Sequence, residues 1–128
     1  TQAAEEVALS RTARAALRGA VFEVRQGYKS KDSKRQNADI DNTARAYAEN
    51  YLPVICILSG QIDADLVVRY KRAGALVLIG RLAGSAVEST YTITHAVVGY
   101  NLAAFFERCE AALHKKIHRI LKALLETK

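Results

Sequence analysis

The 128 residues predict an α/β domain with a small, mainly parallel sheet flanked by helices. Two runs, residues 54–58 and 75–79, are apolar at every position, which is the pattern of strands covered on both faces. Segments with helical spacing of apolar residues alternate with these strands, and that order builds parallel sheets through helical crossovers.

Residues 2–18, rich in Ala, Leu and Arg, predict a first helix, with Glu5 and Glu6 in its opening turns where the dipole favours acids and Gly19 as its stop. Ala20–Arg25 reads as a short strand, and a polar, basic stretch follows to Gln36. A second helix is expected from about Ser33 or Asn37 to Asn50, with Ile40, Ala44, Tyr47 and Ala48 on its apolar face. Pro53 opens the apolar strand 54–58, which Ser59-Gly60 ends. A third helix over 63–73 carries Leu66, Val67, Tyr70 and Ala73 and closes at Gly74; the third strand, 75–79, closes at Gly80. After a mixed segment to Gly99, Asn101 is a candidate N-cap for a long helix whose apolar stripe runs from Leu102 to Leu124. Residues 1–128 thus read as one domain. Three strands make a small sheet, which further strands before residue 1 would complete.

Nineteen Lys and Arg against thirteen Asp and Glu give a formal charge of +6, favouring an anionic partner, nucleic acid ahead of an acidic protein surface. No apolar run approaches the roughly 20 residues of a membrane span, and no secretory leader is visible, so a soluble protein is expected. Cys56 and Cys109 cannot form a zinc site of the usual spacing and read as two buried thiols of a cytosolic protein. No phosphate-binding loop, nucleophile elbow or dinucleotide fingerprint is present. The chain opens on Thr1 and contains no Met, so it is expected to be processed or to be the later part of a longer polypeptide.

The chemistry concentrates between Phe22 and Arg35. Alternation along a strand puts Glu23 and Arg25 on one side and Phe22 and Val24 on the other. A carboxylate beside a cation at a strand end suits phosphodiester chemistry: the acid holds a hard divalent ion and the cation stabilises charge on the phosphorane. Arg25, Lys29, Lys31, Lys34 and Arg35, with Asp32 the one acid among them, would sit against a phosphate backbone. An ordinary half-exposed ion pair next to a solvated basic loop has the same spacing.

At this segment the sequence resembles the second half of the PD-(D/E)XK core of type II restriction endonucleases. There, a strand ending in Glu-x-Lys leads through a loop with Ser-x-Asp-Ser and basic residues into a helix and an apolar strand. Glu23-Val24-Arg25 followed by Ser30-Lys31-Asp32-Ser33-Lys34-Arg35 carries the likeness, which over Glu23–Asp39 and Leu52–Gln61 is greatest to the ApaLI-like enzymes. The resemblance implies a restriction-endonuclease-like fold and Mg²⁺-dependent cleavage of double-stranded DNA by a homodimer in a bacterial-type cytoplasm. It makes Glu23 the metal ligand and Arg25 or Lys29 the charge stabiliser, with Lys31, Lys34 and Arg35 positioning the DNA backbone. Two departures stand out. Arg25 occupies the usual lysine position, and an arginine can fork onto phosphate but cannot act as a base. Lys29 could supply the cation if the strand runs on or bulges, with Gln26 a weaker candidate. The family's first aspartate has no counterpart, since no acid lies between Val7 and Phe22 and Glu5 and Glu6 do not fit its place. The expectation is therefore a C-terminal part of an endonuclease whose first acid comes from a segment before Thr1, or a chain inactive alone.

Other polar groups have plainer readings. Asp63 and Asp65 mark a helix start, His95 lies in an apolar-polar mix, and His114 and His118 belong with Lys115, Lys116, Arg119 and Lys122 to a solvated or DNA-facing basic side. The alternatives to a nuclease are a non-catalytic DNA-binding or assembly module of the same fold, and a small regulatory or oligomerisation domain.

Overall fold

A computed structural model describes residues 11–27 and 33–126. In chain order these form α1 (Arg11–Ala16), β1 (Gly19–Arg25), α2 (Ser33–Ala48), β2 (Tyr51–Ile57), α3 (Ala64–Arg72), β3 (Leu76–Leu78), α4 (Thr90–Ile93), one π-helical turn (Thr94–Val98) and α5 (Leu102–Glu126). The three strands make one parallel sheet in the order β1-β2-β3, with Glu23 opposite Ile55, Arg25 opposite Ile57 and Cys56 opposite Leu78. The protein is thus α/β with a small parallel sheet, as its alternating pattern predicts. No described helix is long and apolar enough to cross a membrane.

β2 is apolar throughout because both its faces are covered. Ile55 and Ile57 point with Val77 into a cluster completed by Leu66, Tyr70 and Ala75, while Val54 and Cys56 join Leu78 on the opposite face. Ile40 of α2 and Ile62 pack against the first cluster, and Ile93 of α4 packs against the second.

Several boundaries differ from the pattern-based ones, each for a local reason. Of the first expected helix, residues 11–18 fall among the described ones and Arg11–Ala16 are helical; the helix ends before Gly19, which begins β1 instead. β2 starts at Tyr51 and takes Pro53 inside it, although a central strand is an unusual place for proline. Leu58 N–H donates to Arg25 O at 2.8 Å, so alternate residues of β2 donate toward β1. By that alternation Pro53 lacks its donor on the β3 side, where pairing begins only at Val54. β3 is shorter than expected because Ile79 leaves the ladder to bridge Ser89: Ile79 N–H donates to Glu88 O at 2.8 Å and Thr90 N–H donates to Ile79 O at 3.0 Å. Gly80 allows the ends of β2 and β3 to meet, since a Cβ there would lie 2.1 Å from Leu58 O.

α2 is rotated from its expected face. Asp39, Thr43 and Ala46 are buried, while Ala44, Tyr47 and Ala48 are exposed. Tyr47 lies at the surface and donates its hydroxyl to Gly74 O at 2.6 Å. α3 begins as predicted, with Asp63 Oδ1 accepting from Asp65 N–H at 3.0 Å. Asn101 likewise caps α5, its Oδ1 accepting from Ala104 N–H at 3.0 Å. Cys56 is buried, but Cys109 on α5 is exposed, which corrects the expectation of two buried thiols.

Candidate functional site

β1 ends at the carboxyl edge of the sheet, and the chain returns from there into α2, so the first turn of α2 lies at the same edge. This βα unit carries every described residue of the predicted site. Glu23 and Arg25 do share a side of β1, and Arg25 Nη2 lies 2.6 Å from Glu23 Oε1. The same nitrogen donates to Asp39 Oδ1 at 2.8 Å. Asp39 reaches it from the second turn of α2, and its other oxygen, Oδ2, accepts the Tyr70 hydroxyl of α3 at 2.6 Å. Thr43, one turn further along α2, donates its hydroxyl to Asp39 O at 2.9 Å.

The four side chains form a graded row from solvent to core. Glu23 is about a third exposed, Arg25 a quarter, Asp39 has a side chain 1% exposed, and Tyr70 is fully buried. A buried carboxylate is costly unless paired and hydrogen-bonded, and Asp39 has both of its oxygens occupied. Arg25 therefore has a structural duty: its guanidinium neutralises a buried acid. Glu23, at the wet end, meets Arg25 through Oε1 and borders a hollow of about 30 Å³ with Asp39, Asn42 and Thr43. A space of that size holds one or two water-sized groups.

The helix that delivers Asp39 is fixed at its start. Arg69 of α3 donates from Nη1 to Gln36 Oε1 at 2.5 Å and from Nη2 to Asn37 Oδ1 at 2.7 Å. Lys34 and Arg35 are exposed in the first turn of α2, at the sheet edge where β1 ends. Lys29 and Lys31 lie outside the described residues, as do Glu5, Glu6 and Asp32.

For Mg²⁺, which takes one or two carboxylates plus waters and substrate oxygens, Glu23 offers a single ligand. Asp39 is committed to Arg25 and Tyr70, and among the described residues no group of three His, Cys, Asp or Glu could hold a metal. The described residues alone do not make up the ion's site.

The remaining candidates have structural places. Asp63 is the α3 cap, and His95 is exposed on the π turn. His114 lies on exposed α5, 3.8 Å from Glu110. Burial pushes the Cys56 thiol up from its ordinary value, partly offset by a hydrogen bond with Thr90. Asp39 and Tyr70 were absent from the predicted site. The available signal was Asp39 beside Ile40, an acid three to four residues before Asn42 and Thr43 on a helix that must cover an apolar strand. Comparison of the chain with family models, curated proteins and solved structures yields no match.

Proposed function

We propose that this chain is part of a Mg²⁺-dependent type II restriction endonuclease that hydrolyses phosphodiesters of double-stranded DNA, with a fold of the restriction-endonuclease kind. The observation that carries the reading is the placement of Glu23: a partly exposed carboxylate, oriented by a cation two residues on, beside a hollow at the surface of a parallel βα unit. The plainer reading, a half-exposed ion pair, contains the same Glu23–Arg25 contact, and DNA cleavage is what separates the two.

In this reading Glu23 is one metal ligand, and a second acid comes from outside the described residues. The ion supplies charge neutralisation at the scissile phosphate. Arg25 orients Glu23 while remaining tied to Asp39, so it acts as a positioning residue, and the charge-stabilising cation falls to Lys29. Lys31, Lys34 and Arg35 bind the phosphate backbone near the amino end of α2, where the helix dipole adds to their attraction.

The test is cleavage of plasmid DNA by the encoded full-length protein in Mg²⁺ and in chelator. Cleavage confined to Mg²⁺ is expected. Binding to duplex DNA should weaken steeply with salt, and Lys34→Ala with Arg35→Ala should lower the log–log slope by about 2. A protein that binds DNA with that slope but cuts nothing would be the non-catalytic module instead, and no binding at all would remove both readings.

A further inference from the structure

We propose that α5 is the interface of a symmetric homodimer, in which two copies pack this helix antiparallel across the apolar seam of Phe106, Leu113, Ile117, Ile120 and Leu124. The proposal stands on the helix itself and does not depend on the nuclease reading.

α5 runs for 25 residues, yet none of them is buried. Its large apolar side chains recur at three- and four-residue spacing on one face, and Leu113 is 56%, Ile120 59% and Leu124 67% exposed. A helix of this length gains little stability in water from propensity alone; a partner for its apolar face supplies the rest. The exposed parts of the seam and of Leu121 come to roughly 600 Å² per copy, so a pair would cover about the 1,200 Å² at which stable interfaces begin.

Charge selects a second copy and its direction. Glu107 and Glu110 outweigh Arg108 in the first half of α5, whereas His114, Lys115, Lys116, His118, Arg119 and Lys122 outweigh Glu126 in the second. Parallel helices would set the basic halves against each other. Antiparallel helices set the acids of one copy against the basic half of the other. Glu107, Glu110, His114 and His118 also share one flank of the seam by their spacing. A two-fold axis near Leu113 would bring Phe106 level with Ile120 of the other copy, and Glu110 and Glu107 within a turn of its His114 and His118.

The first half of α5 already offers a receptacle. Phe106, Cys109 and Leu113 form one wall of a cleft of about 370 Å³ whose other wall is Leu82 and Tyr91, with Glu107 and Glu110 on its rim. Tyr91 and Phe106 stack edge to face there, with centroids 6.3 Å apart. In the antiparallel arrangement Ile117 and Ile120 of the second copy enter this cleft, and its basic residues meet the acidic rim.

Sedimentation of the protein across micromolar concentrations should show a dimer. Ile117→Asp with Ile120→Asp should raise the dimer Kd at least about 100-fold, with circular dichroism unchanged because neither residue is buried. Glu107→Lys with Glu110→Lys changes only exposed positions and should weaken self-association. Mixing that variant with His114→Glu/His118→Glu should restore dimers as mixed pairs. A monomer at all concentrations, a dimer indifferent to the Ile117/Ile120 changes, or charge variants without preference for mixed pairing would each overturn the proposal.

Discussion

Two regions of the chain place polar and apolar groups in opposite ways. Between β1, α2 and α3, polar groups lie inside: Asp39 and Tyr70 are buried, and the two Asp39 oxygens meet Arg25 at 2.8 Å and the Tyr70 hydroxyl at 2.6 Å. Along α5, apolar groups lie outside, with Ile117, Ile120 and Leu124 open to solvent. The contrast shows that burial follows available partners rather than residue type. Asp39 goes in because a guanidinium and a phenol await it, and Ile120 stays out because no described element covers it.

The largest test of that contrast is Asp39→Ala. Removing that carboxylate takes a partner from Arg25 and the acceptor from the buried Tyr70 hydroxyl, which should cost about 3 kcal/mol, or roughly 10 °C in Tm. Leu124→Ser on α5, by contrast, should leave the fold of the subunit within about 0.5 kcal/mol. Equal losses at both positions would erase the distinction between the regions. Next is Tyr70→Phe, which deletes one hydrogen bond to a carboxylate and should cost about 1.5 to 2 kcal/mol by chemical denaturation. No loss would mean that Arg25 alone satisfies Asp39.

A smaller effect separates the cysteines. Cys109 should react with a thiol reagent in the folded monomer, and more slowly as dimers cover its cleft, whereas Cys56 should react only after unfolding. The folded state holds the Cys56 thiol protonated beyond its ordinary value. Above about pH 8.5 the unfolded chain therefore binds fewer protons than the folded one, and stability should fall as pH rises. Cys56→Ala should flatten that alkaline slope.

Much of the architecture was legible because it rests on periodicity. The apolar runs marked β2 and β3, and the caps at Asp63 and Asn101 follow from local chemistry. The alternation of Glu23 and Arg25 was likewise visible, as was their common side. What periodicity could not carry was Asp39, since its burial depends on Tyr70, 31 residues away, and on Arg25 behind it. For the same reason the expected face of α2 was displaced toward Ala44 and Ala48. The apolar stripe of α5 was legible, but its exposure depends on what lies across from it, which a pattern on one helix does not state.

The row from Glu23 to Tyr70 separates two acids: Asp39 is buried between Arg25 and Tyr70, whereas Glu23 is partly exposed, and the proposed function gives the metal to Glu23. Glu23→Gln keeps the shape of the side chain and removes its charge at a partly exposed ion pair, where the stability effect should stay within about 1 kcal/mol. Single-turnover DNA cleavage in Mg²⁺ by the encoded protein should fall about 100-fold or more in this variant, with DNA affinity and Tm nearly unchanged. Cleavage at the parental rate, with the protein folded and bound to DNA, would contradict the assignment of Glu23.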